Sequence, residues 1–546
     1  MIKNEKAGRT LLENTETLSE AAVQLYSMIC KQAKSTNQFA DTMKQLLCSM
    51  QIHLDGLYKE EPALMSHLIC KNILYSLNNI MPYAVTDKEK ACGKIQFELL
   101  PLIDELYTDL YFWGFCYPDR EKIFHYYRNE MKNLCPLPIP EDGKYKYDVS
   151  LVVIAYNKLE YTKRCVEYLK RYFPKNVNYE TILYNNGSSD GTKEFFESLH
   201  PDKQIDLQNN TKSWSIISRV VEGKYILTVS NDALILPNSV ENLLKCIESD
   251  KNICCVMPTC PNIANLETIP ASYSNEKEMI EFAERNNVSD PYRWEQRTRL
   301  NPPVLFGRSD SFAVHAFCTY LYPFSPVRFL AFSDDLMGLV ARRNKQKCML
   351  AKDAYVHHFG SVTINEATHQ NQGGGSDFYT KCRIEFAKIF GVDPWGVGVC
   401  YDYELIGALN YEKNGPINIL GINCGLGDTP LKIEAMLKEK MHNNNVKIYN
   451  ITNMPRYRKD LDGLSDYFKL ITNWNQIRKV FPGAKFTYIV AEDINLQIVS
   501  KKTMNDLFSR LSAGGMLAVK GGKVKFKSDK CVKEDRTEHW QIYHRD

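Results

Sequence analysis

Gly223-Lys-Tyr-Ile-Leu-Thr-Val-Ser-Asn-Asp-Ala-Leu-Ile-Leu-Pro237 is a short apolar, β-branched run that breaks off in the polar triplet Ser230-Asn231-Asp232. It reads as a strand that delivers a carboxylate to the end of a sheet. Taken alone, an aspartate after a strand is a turn or helix-capping residue. A hard divalent cation bridging a carboxylate to a diphosphate would use the same placement, because such ions take oxygen ligands from few protein carboxylates plus the phosphates themselves.

The surroundings favour a parallel sheet. Asp148 to Tyr156 is a nearly unbroken apolar run, as expected of a strand buried on both faces. Tyr161 to Phe173 has helical periodicity, and Tyr179 to Tyr184 supplies a second strand, which together make a βαβ unit. That strand runs into Asn185-Asn-Gly-Ser-Ser-Asp-Gly-Thr192, a tight turn followed by a helix-capping cluster. Ligands of parallel α/β sheets bind outside the carboxyl ends of the strands. Ala155, Tyr156 and Asn157, then Asn185 and Asn186, then Ser230, Asn231 and Asp232 all fall at such ends.

Before this region, residues 1–145 carry a helical period. Leu18, Ala22, Leu25 and Ile29 share one face, Phe39, Met43, Leu46, Leu47, Met50 and Leu54 another, and Leu99, Leu102, Ile103, Leu106 and Leu110 a third. An α-helical domain follows, closed by the aromatic run Tyr107 to Tyr117, which either packs as core or offers an acceptor-binding surface. Pro136 to Gly143 is a linker. With 546 residues the chain exceeds one core, and three domains are expected, at 1–145, 146–395 and 396–546.

A formal net charge of +3 gives no footprint for nucleic acid or an anionic membrane, so any anionic ligand must be bound locally. The 17 cysteines show neither paired nor metal-binding spacing, and Cys254, Cys255 and Cys260 read as buried thiols. The N-terminus is polar and no stretch approaches the ~20 apolar residues of a membrane span. A cytoplasmic protein with no integral membrane segment is expected.

Five pieces in order, Ile-Ala-Tyr-Asn157, Tyr184 to Thr192, Glu222 to Asp232, Phe332-Ser-Asp-Asp-Leu336 and His358-Phe-Gly-Ser361, resemble glycosyltransferase family 2. The resemblance implies a GT-A fold, a Rossmann-like core for nucleotide-diphospho-sugars. It implies an inverting, metal-dependent transfer with Mn²⁺ or Mg²⁺ on Asp232 and His358. Asp335 would be the base, and Asp334 would orient it or touch the donor sugar. Ala155, Tyr156, Asn157, Asn185, Asn186, Ser230 and Asn231 would line the nucleotide sugar. Ser230 stands where the family often has aspartate, leaving one carboxylate for the ion. Asn185-Asn186 stand where an aspartate usually faces uracil, and an amide carbonyl can still accept that bond. Adjacent strand residues face opposite sides, so only one of His357 and His358 can reach the site. The family spacing selects His358. The loop Thr363 to Ser376 is a candidate lid or a plain connector.

Beyond Trp395 a third unit begins. Ile417 to Gly427 is a strand entering a glycine turn, and with Leu511-Ser-Ala-Gly-Gly-Met516 it resembles a class I methyltransferase. The acidic residues such a fold uses for its cofactor are replaced: Gly421 and Asn423 stand in the first strand's motif, and Thr452 where the ribose would be gripped. No S-adenosylmethionine is expected, and the unit is read as kept for packing, homodimerisation or acceptor docking. Similar three-part chains resemble bacterial enzymes that glycosylate flagellin or other surface proteins. The expected donor is a UDP-hexosamine such as UDP-GlcNAc, and the expected acceptor a Ser/Thr hydroxyl. Synthesis of a cell-surface polysaccharide, a silent sugar-nucleotide-binding scaffold and an active methyltransferase are the alternatives.

Overall fold

The computed structural model describes residues 5–57, 63–116, 119–134, 136–208, 213–262, 267–301, 303–319, 332–360, 376–394, 401–493, 501–521 and 531–546. The candidate lid at 363–375 lies outside them. No helix among the described residues is long and apolar enough to cross a membrane.

The chain forms two compact units, each assembled from separated segments. The first comprises Met1–Leu236, Pro302–Ser333 and Val356–Ile389, and the second Pro237–Asn301, Asp334–Tyr355 and Phe390–Asp546. In chain order the strands up to residue 360 are β1 (Tyr147–Ala155), β2 (Tyr179–Asn186), β3 (Lys203–Leu207), β4 (Gly223–Ser230), β5 (Ala233–Leu234), β6 (Ile253–Thr259), β7 (Trp294–Arg297), β8 (Val304–Arg308), β9 (Lys347–Tyr355) and β10 (His357–His358).

In the first unit the order is β3-β2-β1-β4-β8, parallel through β4, with β8 antiparallel to β4. Val149, Val152 and Val153 of β1 are buried, as expected of a largely apolar strand between two neighbours. Gly223 starts β4 beside β1, where a Cβ would strike the Ser150 backbone. Helices Glu5–Cys30, Thr36–Leu57, Ala63–Ile80 and Leu100–Tyr111 precede this sheet. Their apolar faces close on one another, with Leu18, Leu25, Ile29, Leu47, Met50, Leu54, Leu102 and Leu106 fully excluded from water. Of the aromatic run, Phe112 and Trp113 are buried, whereas Tyr107, Tyr111 and Phe115 are half-buried. Charged groups tie the helical region to the sheet: Lys94 lies 2.7 Å from Glu98 and 3.3 Å from Asp206 on β3, all three buried. Removing one member of such a trio leaves an uncompensated buried charge.

In the second unit β9 pairs with β6 in parallel and with β7 antiparallel. A further sheet uses β11 (Ile417–Ile422), β12 (Val446–Thr452), β13 (Tyr467–Leu470), β14 (Phe486–Ala491), β15 (Leu511–Lys520), β16 (Cys531–Arg536) and β17 (Trp540–Arg545). Its order is β13-β12-β11-β14-β15-β17-β16, parallel through β15 and antiparallel at β17 and β16. The stretch Leu511 to Met516, expected as a turn, lies within β15. A register shift against β14 absorbs its extra residues there.

Candidate functional site

Register brings the predicted strand ends together in the first unit. Ala155 is level with Asn185 on one side of β1, and Ile154 is level with Ser230 on the other. Past β1 the chain takes two successive left-handed residues, Asn157 at φ 53° and Lys158 at φ 62°. Asparagine tolerates that region better than most residues, and its side chain can bond locally. The Asn157 N–H donates to Ser188 Oγ (2.8 Å), and the Ser189 N–H donates to Asn157 Oδ1 (3.0 Å). The Leu159 N–H donates to Asp190 Oδ2 at 2.7 Å, so the loops after β1 and β2 are bonded into one rim.

Two of the predicted contact residues are buried and bonded within the protein. Asn231 is buried and donates through Nδ2 to the Asn157 carbonyl (3.0 Å) and to Thr162 Oγ1 (2.9 Å). Asn185 is buried as well. Its Nδ2 donates to Asp206 Oδ1 at 3.4 Å, and its Oδ1 accepts from the Ser188 N–H at 3.0 Å. Asn186, Tyr156 and Ser230 stay partly exposed at the strand ends.

Asp232 follows β4 and is fixed by the small β5–β10 ladder. His358 pairs with Ala233, His357 pairs with Leu234, and the Phe359 N–H donates to the Asp232 carbonyl at 3.0 Å. His358 Nε2 lies 3.6 Å from Asp232 Oδ1, each side chain about 5% exposed. His357 stacks edge-on to Phe359 with centroids 4.5 Å apart, and burial, helped by His358, pushes its pKa down to about 4. Donor atoms bound at about 2.0–2.2 Å to a common ion stand roughly 3–4 Å apart. The Asp232–His358 pair therefore fits a divalent cation that accepts both carboxylate and imidazole, as Mn²⁺ does.

In the second unit, Asp334 and Asp335 occupy the first turn of the helix Ser333–Arg343. Asp334 Oδ1 accepts the Asp335 N–H at 3.0 Å, a local capping bond. Asp335 is buried and pairs with Arg299, whose Nε is 2.7 Å from Oδ1. Burial, reinforced by the charge of Asp334, holds the Asp335 carboxyl well above the usual range, and burial raises Asp334 too. Arg299 was not foreseen from the sequence. It stands 36 residues before its partner with no local signal.

Elsewhere in this unit the Cys254, Cys255 and Cys348 sulfurs lie within 4.8 Å of one another, all buried. The register shift between Ile253 and Cys255 sets two β6 residues against one on β9. Cys260 is also a buried thiol but is not part of this group. At the ends of β11 and β12, Asn423 donates to Asn453 Oδ1 (2.8 Å) and to the Asp493 carbonyl (2.7 Å), and accepts from Thr452 Oγ1 (2.9 Å).

Residues 150–303 match the family Glycosyl transferase family 2. That segment, which carries β1, β2, β4 and Asp232, is a glycosyltransferase family 2 domain. The chondroitin synthase of Pasteurella multocida (strain Pm70) is 30% identical over 151 residues, 26% of this chain and 15% of that protein. The hyaluronan synthase of Pasteurella multocida matches to the same extent. The chain thus spans about 15% of the length of the curated relatives it matches. Among solved structures, the mannosyltransferase PcManGT from Pyrobaculum calidifontis, in complex with GDP-Man and Mn²⁺, is 13% identical. The match covers 63% of this chain and 81% of that one at a TM-score of 0.31.

Proposed function

We propose that this protein is an inverting, metal-dependent glycosyltransferase that moves a hexose or N-acetylhexosamine from a nucleotide sugar to a hydroxyl acceptor. The observation that carries the reading is Asp232, held at the end of β4 with His358 3.6 Å away, inside the segment that matches family 2. We propose UDP-GlcNAc as donor, and the side chain of Ser or Thr on a surface protein such as flagellin as acceptor, the latter resting on the resemblance of the three-part chain. A second reading, elongation of a cell-surface polysaccharide, is favoured by the two polysaccharide-synthase relatives.

In the proposed reaction the acceptor oxygen attacks the anomeric carbon, the bond to the diphosphate breaks, and the diphosphate leaves with the electron pair. A divalent ion on Asp232 and His358, when bound, supplies Lewis-acid neutralisation of that departing charge. The rim made by Asn157, Ser188 and Asn231 orients the donor. Because Asn185 is buried whereas Asn186 and Tyr156 are partly exposed at the strand ends, the latter two are the better placed to meet the nucleotide base. The acceptor proton passes to a carboxylate, which we assign to Asp335 with Asp334 as its orienting neighbour. Burial raises the pKa of this carboxyl, which increases its affinity for the acceptor proton.

We assign the region 396–546 a non-catalytic role. The side chains at the ends of β11 and β12 that a cofactor would engage bond to one another through Asn423 instead, which supports that role. The deciding experiment is mass-spectrometric detection of sugar transfer from UDP-, GDP- and dTDP-sugars with and without Mn²⁺. Product on a protein hydroxyl supports the first reading and product on a glycan the second. No transfer with any donor leaves a binding scaffold and refutes both.

A further inference from the structure

The helix that carries Asp334 and Asp335 ends in Arg342 and Arg343, and both guanidiniums converge on one carboxylate, Asp460. Arg342 donates through Nε (3.0 Å) and Nη2 (2.9 Å) to Asp460 Oδ1, while Arg343 donates through Nε (3.2 Å) and Nη2 (2.9 Å) to Oδ2. Asp460 has no exposed side-chain surface, and Arg342 only 5%. Neighbouring arginines on a helix point about 100° apart. A partner that satisfies both therefore fixes the helix's rotation as well as its position.

A second tie reaches the other end of the same helix. Arg342 Nη1 donates to the Thr298 carbonyl, and the Thr298 hydroxyl donates to Asp428 Oδ1 at 2.6 Å. The next residue, Arg299, holds Asp335. Two glycines allow the close approach: a Cβ on Gly463 would strike the Arg342 carbonyl, and one on Gly338 the Thr298 carbonyl. Asp428 and Asp460 both belong to the region beyond residue 396, so that region grips the C-terminal end of the carboxylate helix directly through Asp460 and holds Thr298, the neighbour of Arg299, through Asp428.

We propose that the C-terminal region acts as a clamp that sets the position of the Asp334–Asp335 pair, with Asp460 as the positioning residue. The proposal rests on the reading that this pair serves sugar transfer. It explains why a region with a self-bonded cofactor end is retained: its chemistry has been given up and its grip on the carboxylate helix kept.

The test uses the full chain with Asp460→Asn, Asp460→Glu and Arg343→Lys. In Asp460→Asn, amide exchange of residues 334–343 is expected to quicken at least 10-fold. Transfer kcat should fall at least 10-fold while the calorimetric donor Kd stays within twofold, and Asp460→Glu should recover most of the rate. Exchange at the wild-type rate would overturn the clamp. So would an undiminished kcat, or a donor affinity that falls in step with kcat, which would mark general loss of structure. If Asp460→Asn does not fold, Arg343→Lys carries the same measurements, because it removes one of the two forks and keeps the charge. A wild-type protein that transfers no sugar would refute the proposed function, and amide exchange alone would then decide whether the clamp exists.

Discussion

Replacing Asp232 by alanine separates a ligand from a structural residue. The carboxylate is about 5% exposed, and its charged neighbour is His358 at 3.6 Å. At an effective dielectric of 20, two full charges at that separation attract by ~4–5 kcal/mol, but only if the imidazole is protonated. Desolvating a carboxylate costs several kcal/mol even after relaxation, so the pair without an ion gains little. Alanine should therefore leave unfolding free energy within ~1 kcal/mol of wild type, or raise it. Binding should behave in the opposite way. The site offers one carboxylate and one imidazole, and outer partners alone cost 10–100-fold in metal affinity when removed. Loss of the sole anionic ligand should cost at least ~100-fold, or ~2.7 kcal/mol, in Mn²⁺-dependent donor affinity. Calorimetry with a UDP-sugar in the presence and absence of Mn²⁺, with a thermal melt of each protein, measures both quantities. A variant that melts far below wild type, or that keeps its Mn²⁺-dependent affinity, refutes the ligand assignment.

Asp335→Asn should retain donor affinity and lose about 10²–10⁴-fold in transfer; Asp334→Asn should lose transfer with donor affinity kept if that residue orients Asp335, and should weaken donor binding if it faces the sugar. Mass spectrometry of product beside calorimetry distinguishes the pair, and wild-type transfer by Asp335→Asn would remove it as base. His357 is held neutral when folded, with a pKa of about 4 against an ordinary value of about 6.5. The folded state then binds fewer protons than the unfolded chain between those values, so stability present above pH ~6.5 is lost as pH falls toward 4. His357→Gln should flatten that part of a denaturation-versus-pH curve, and an unchanged slope would show the burial of His357 to be immaterial. A donor that binds only the folded protein should add ~2.7 kcal/mol of stability at 100 times its Kd, and S-adenosylmethionine none; a clear shift with the latter would overturn the non-catalytic reading of the tail.

The parts of the fold that could be read from the chain are those whose signal is local. An unbroken run such as Leu151 to Ala155 has one economical fate, a strand with neighbours on both sides, and the 3.6-residue recurrence of Leu18, Ala22, Leu25 and Ile29 likewise predicts a face with no exposure. Alternation along an extended strand anticipated that His357 and His358 would part, and the ladder with β5 turns His358 toward Asp232. Asn185 shows where such reasoning stops. Its place at a strand end was legible, but its inward amide depends on Asp206, a residue of another strand 21 positions away. Charged partners are harder still. Lys94 and Asp206 are 112 residues apart, Arg342 and Asp460 118, and nothing beside any of them in the chain marks it as buried. On a helix, Arg342-Arg343 reads as a solvated end favourable to the dipole, which is the ordinary fate of such a pair. Burial reverses its meaning. Once desolvated, the two guanidiniums require a carboxylate, and they find Asp460 in a region whose own sequence pattern pointed to different chemistry. The residues that orient the candidate base are thus written as unremarkable surface charges, and only the close approach at Gly338 and Gly463 leaves a trace of them in the chain.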